Sequence, residues 1–253
     1  MSQENRECFS QGIVHMTGRT LCGLLLVILV AVSIVPAGRG SEIQEYDDAV
    51  IAAFYSKVIR NPIVVEGDPY EDYHELPWFE FPEDAVCAIK YEDDRIHYVI
   101  GTFGDERAAE DNGYIVTHKG HCGTCSTLQD LATYLYYRDL TTPVRRCSAL
   151  VWFKPWSSNC LEELGFTHPC AETWYYNAKN TAQECLWPCI DSWIRKEPFN
   201  TPDGSLNDCL ACDEERSGPV FQYVAGRTRR NSGIQSSIDR PEDEVYSIVH
   251  DYY

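Results

Sequence analysis

The sequence predicts an α+β fold, a small antiparallel sheet followed by a disulfide-stapled helical half. Three observations carry that expectation. Two apolar runs, 85–91 and 96–103, flank the polar Glu92-Asp93-Asp94-Arg95, which is the pattern of a hairpin. Beyond residue 125 the apolar residues recur mostly at helical spacing. Ten of the twelve cysteines follow residue 80, an even number that reads as a framework of up to five bridges in an oxidising compartment.

In chain order, residues 1–20 form a short N-terminal tail containing Cys8. Residues 21–37 contain no charge and include Cys22. Their 17 residues are at the short end of a spanning helix and equally suit a signal-peptide core. Val35-Pro36-Ala37 supplies small or apolar residues for cleavage, and Met16 offers an internal start. Arg19 and Arg39 flank the run almost symmetrically, so positive charge does not orient it. The run is therefore read as a signal peptide or a signal-anchor, and it contacts a membrane if uncleaved.

Residues 38–61 are expected to be a juxtamembrane helix and linker. A helix over 44–60 places Tyr46, Val50, Ala53 and Phe54 on one face, and Asn61-Pro62 stops it. Residues 62–253 then form one acidic, cysteine-rich ectodomain. Its lead-in, 62–84, is extended. The hairpin follows, and then a loop over 104–113 and a third strand at 114–118. Ser126-Thr127-Leu128-Gln129 reads as a capping box before the stripe Leu128, Leu131, Ala132 and Leu135. Residues 144–153 suit a further strand, and 159–164 a short helical turn. Residues 181–196 are amphipathic, with Leu186, Ile190, Trp193 and Ile194 on one side. Ser205 to Asp208 cap another helix. Pro219 opens the next, and Pro241 opens a last one with Val245, Ile248, Val249 and Tyr252 in register.

Composition narrows the function classes. The chain is 44% hydrophobic and 12% aromatic, too rich for a disordered stalk. Its net charge is −18, and residues 41–253 alone carry −19. A nucleic-acid partner would need a basic face, so that class is excluded. An extracellular or luminal partner, or a small anionic ligand, remains. The expected location is the secretory pathway, as a single-pass membrane protein with a luminal or extracellular C-terminal domain, or secreted after cleavage.

Three groups of residues invite chemistry. In the first, a strand at 114–118 runs through His118 and His121 into Cys122-Gly123-Thr124-Cys125 and then a capped helix. That order resembles the active site of the thioredoxin-like oxidoreductases. The resemblance implies a Cys122 thiolate at a helix start, exchanging with Cys125. His118 or His121 could serve as a base for Cys122. The plainer reading makes these cysteines structural, alongside Cys87, Cys147, Cys160, Cys170, Cys185, Cys189, Cys209 and Cys212. A zinc site from Cys122, Cys125, Cys209 and Cys212 has pairs more than 80 residues apart, outside zinc-finger spacing, and neither metal nor cofactor is expected.

The second group is the basic island 226–233, where Arg227, Arg229, Arg230 and Asn231 could hold a carboxylate, sulfate or phosphate. The plainer reading is a helix terminus complementing its dipole. The third is the cysteine pair Cys185 and Cys189. One turn apart on one helix face, they are too far apart to join each other and should bridge to two different segments. Trp152, Trp156, Trp174, Tyr175, Tyr176, Trp187 and Trp193 are expected in the core or lining a groove. The leading expectation is a binding or interaction module with 227–233 as its contact. The alternatives are a luminal thiol–disulfide oxidoreductase using Cys122 and Cys125, and a small-molecule enzyme with a His and Arg anion site.

Overall fold

The computed structural model describes residues 46–71 and 81–253. The tail, the apolar run, Cys8, Cys22 and part of the lead-in lie outside the described residues. The described residues fall within one unit spanning 44–253.

Helix α1 (Asp48–Tyr55) starts where Asp47 accepts the amide of Val50, and it buries Ile51 and Phe54. The chain then adds β1 (Val58–Ile59) to the sheet edge. The hairpin is β2 (Val86–Tyr91) and β3 (His97–Phe103), paired from Val86 opposite Phe103 to Tyr91 opposite Tyr98. Asp94 fixes its turn by accepting the amides of Ile96 and His97, each at 2.9 Å. Helix α2 (Glu106–Asp111), capped by Asp105, occupies the expected loop and leads to β4 (Ile115–Lys119). The sheet order is β1-β3-β2-β4. The β1–β3 pair is parallel, so the sheet is mixed at that edge. No tight turn joins β1 to its neighbour, so nothing local enforces the antiparallel sense.

Side chains alternate across β2. Cys87 and Ile89 enter the main core, while Val86 and Ala88 pack with Ala109 of α2. Helix α3 (Leu128–Tyr136) buries Leu128 and Leu131 in that main core. Its cap is Thr127, one residue later than the sequence suggests. Thr127 Oγ1 accepts the Asp130 amide at 3.0 Å and donates to the Asp130 carboxylate at 2.6 Å.

Two expected elements are replaced. Residues 144–153 are not a strand. Helix α4 (Thr141–Ser148) forms instead, with Asp139 accepting the Thr142 amide and with Val144 and Cys147 facing inward. The C-terminal helix is also absent. A 3₁₀ turn at Glu242–Glu244 is followed by extended chain, and His250 and Tyr252 are buried while their neighbours are exposed. Burial there alternates with period two, as extended chain requires.

Helices α5 (Lys154–Glu163), α6 (His168–Glu184), α7 (Leu186–Arg195), α8 (Asp208–Arg216) and α9 (Gly218–Ala225) build the helical half. The amphipathic stretch 181–196 is thus two helices broken at Cys185. Five disulfides staple the whole: Cys87–Cys122, Cys125–Cys170, Cys147–Cys160, Cys185–Cys212 and Cys189–Cys209. Cys185 and Cys189 do bridge away from each other, but both reach α8 rather than two segments. Spacings of four on α7 and three on α8 make a two-rung ladder between the helices. Five bridges in one domain are the pattern of proteins that mature in an oxidising secretory or extracellular environment.

Candidate functional site

The residues that invited chemistry converge. The loop 120–126 between β4 and α3 lies against the chain leaving α9. Thr124 and Cys125 donate their amides to Val224 and Ala225 carbonyls, both at 2.9 Å. The approach depends on two glycines. A Cβ at Gly123 would overlap the backbone of 224–226, and one at Gly226 would overlap that of 121–123. Gly226 also has φ +69°, a region that disfavours side chains.

The two cysteines of Cys122-Gly-Thr-Cys125 diverge from this loop. Cys122 joins Cys87 on β2 and Cys125 joins Cys170 on α6. They are therefore not a dithiol pair, and Cys122 is not a free thiolate at a helix start. The four cysteines considered for zinc are likewise all in bridges.

His118 is fully buried. Its Nδ1 lies 2.9 Å from the Lys119 carbonyl, which can only accept, so Nδ1 carries the proton. Nε2 then accepts from the Ser126 hydroxyl at 2.8 Å, and that oxygen accepts the Gly123 amide. Burial, followed by the Arg227 charge, holds its pKa well below the ordinary histidine value. His121 donates to the Tyr223 carbonyl at 2.7 Å and stacks on Phe81 at 4.3 Å.

Arg227 is the hub of the joint. It is completely buried, and its guanidinium reaches the Thr117, Cys125 and Ser126 carbonyls and the Thr117 and Ser232 hydroxyls. Those five acceptors match its five N–H groups. Asp130, buried nearby and held by Thr127 and Thr167, has its pKa pushed up to about 6 by burial. Arg229 donates to the Tyr137 and Gln235 carbonyls and lies over the Tyr134 ring. Arg230 pairs with Glu244 and Glu214. Asn231 accepts the Thr228 amide and donates to the Lys119 and Gly226 carbonyls. The expected anion site is therefore turned inward, because the protein's own carbonyls and carboxylates use its donors. His250 is buried in the same region, donating to Ser232 and accepting from Tyr252, with its pKa lowered to about 3 by burial.

A second arrangement runs the opposite way. On α7, Cys185, Cys189 and Ser192 face the protein. Ser192 is buried and donates to Glu197. The outward face carries Leu186, Trp187, Ile190, Trp193 and Ile194, with Trp187 75% and Trp193 77% exposed. The bridges decide this orientation, since the cysteine face must meet α8. Trp152, Phe153 and Trp156 at the start of α5 are also about 70% exposed. Four of the aromatics expected in the core or lining a groove are thus on the open surface, while Trp174, Tyr175 and Tyr176 are packed within. A helical wheel shows part of this. At about 100° per residue, Trp187, Ile190 and Ile194 fall opposite the two cysteines, while Leu186 and Trp193 lie on the flank between.

Glu92, Asp94 and His97 at the hairpin turn place one ligand atom each within 4.8 Å of one another. They are already engaged with Arg60 and with the turn amides.

Residues 154–248 match a protein family described as of unknown function (DUF8771), from α5 to near the C-terminus. The match spans less than half the chain. No curated protein and no solved structure matches.

Proposed function

We propose that the chain is a luminal or extracellular binding module, membrane-tethered through residues 21–37 or secreted after their removal, whose contact surface is the outward face of α7. The observation that carries this reading is the set Leu186, Trp187, Ile190, Trp193 and Ile194, all exposed on one face of a helix held by two bridges. Large exposed apolar patches mark interaction sites, and tryptophan is the residue most enriched where binding energy concentrates. The contact therefore moves from the basic island to α7. The bridges support the secretory location, and the uncharged run supports insertion or targeting.

The test is a photo-reactive amino acid at position 190 of the full chain expressed in cells, with position 107 on α2 as the control. Arg107 is highly exposed and faces Asp111 one turn along the same helix. Adducts from 190 and none from 107 are expected. Equal yields, or none from 190, would contradict the reading.

A further inference from the structure

We infer that the Cys189–Cys209 bridge between α7 and α8 is a thiol-exchange site, at which a small thiol of the glutathione class joins Cys189 and Cys209 leaves as a thiolate paired with Arg145. Nothing in this depends on what α7 contacts.

A contact between a cation and a sulfur carries it. One guanidinium nitrogen of Arg145, on α4, lies 3.7 Å from Cys209 Sγ, and the group also lies over the Phe199 ring. Among the described residues Arg145 forms no ion pair. Burial pulls its pKa below the ordinary arginine value, and the charges of Asp213 and Asp139 offset that only in part. A partly desolvated cation thus faces a sulfur that is neutral while bridged. Breaking the bond so that the charge falls on Cys209 gives that cation an anion at contact distance. The open form therefore gains an interaction that the closed form lacks.

Helix position and access act in the same sense. Cys209 is the second residue of α8, behind the Asn207 cap, where a helix N-terminus favours a thiolate. Cys209 is buried, whereas Cys189 is half-buried and its helix neighbours one turn away on either side, Leu186 and Trp193, are exposed. An incoming thiol meets Cys189, with the better leaving group behind it, which is the arrangement that speeds exchange. The other bridges lack this combination. Cys87–Cys122 and Cys125–Cys170 are buried at both ends. Cys147 and Cys160 lie in the last turns of α4 and α5, where helix carbonyls disfavour a thiolate. Cys212 Sγ faces the Glu184 carbonyl at 4.0 Å rather than a cation.

The incoming thiol loses its proton to solvent and its thiolate attacks Cys189 Sγ. A bond forms between those two sulfurs, the Cys189–Cys209 bond breaks, and its electron pair stays on Cys209. The incoming sulfur is oxidised to a mixed disulfide and the Cys209 sulfur is reduced. The Cys185–Cys212 rung still ties α7 to α8. Cys209 therefore stays beside Cys189 and recloses the bridge by expelling the small thiol.

The test exposes the full folded chain, its five bridges first confirmed by mass, to glutathione at neutral pH, followed by acid quenching, alkylation and peptide mapping. Glutathione on Cys189, with the alkyl group on Cys209, is expected before any other bridge opens. Arg145→Leu should give roughly tenfold less of this adduct, and Arg145→Lys should restore much of it. Arg146→Leu removes the exposed neighbouring cation and should change it little. Arg145→Gln serves as a second variant where Arg145→Leu does not form all five bridges. No adduct, glutathione on Cys209, another bridge opening first or all five opening together would overturn the inference. So would a wild-type yield in the Arg145 variants that lack the charge.

Discussion

The joint around Arg227 and the outer face of α7 are opposites. The joint holds the histidines, arginines and polar loop that resemble chemistry, yet it is buried and its donors are consumed. Helix α7 holds the residues that resemble a core, yet they face outward. The difference lies in what each region must satisfy. A buried polar group costs unless it is bonded, so folding closes a polar cluster on itself. An apolar face has no such internal demand once two bridges have fixed the other side of its helix.

The comparison can be broken most severely at the glycines. Gly226→Ala should prevent accumulation of fully bridged protein, since the new Cβ meets the backbone of 121–123. Secretion of the five-bridge species, counted by mass, is the check. Normal yield would mean that the joint is looser than described.

Arg227→Leu should come next, at about 3–5 kcal/mol by denaturant unfolding, because it strands three buried carbonyls and two hydroxyls. Arg227→Lys should recover only part of this, since an ammonium lacks the planar fork. Full recovery would show that charge alone matters.

Acid should act on the joint with a defined sign. His118 and His250 have folded pKa values below that of the unfolded chain. The unfolded state therefore binds more protons below about pH 6.5, and stability falls as pH drops through that point. For His250, whose folded value is about 3, the slope is about 1.4 kcal/mol per pH unit across that window. Asp130 acts in the opposite direction. Its folded pKa of about 6 exceeds the unfolded value of about 3.9, so acidification between those values favours the native state. Melting temperature against pH should fall below pH 6.5, less steeply in His250→Gln and more steeply in Asp130→Asn. Equal slopes in all three proteins would remove these groups from the account.

The smallest effect on stability belongs to α7. Trp187→Ser/Trp193→Ser should shift unfolding by about 0.5 kcal/mol or less, because exposed side chains contribute little to the fold. A loss of 2 kcal/mol would make the face part of the scaffold rather than a contact.

The sheet was largely legible in the sequence. The Glu92–Arg95 turn and its flanking alternation set the hairpin, and 114–118 differs from β4 by one residue. The run 144–153 misled because its apolar end, 149–153, is unbroken and carries no period. Asp139 starts a helix there, and Leu150, Trp152 and Phe153 stay exposed. At the C-terminus, helical spacing of Val245, Ile248 and Tyr252 masked a period-two burial of His250 and Tyr252. The joint was not legible, since its halves lie about a hundred residues apart and only tertiary closure shows where Arg227 donates. The α7 face was legible in part, since the two cysteines point away from Trp187, Ile190 and Ile194, although Trp193 lies only one turn beyond Cys189.

Amide hydrogen exchange on the full chain would measure both regions at once. The account predicts slower exchange at 117–126 and 224–232, where the joint closes on itself, than at 186–195. Exchange at the joint as fast as on α7 would contradict it.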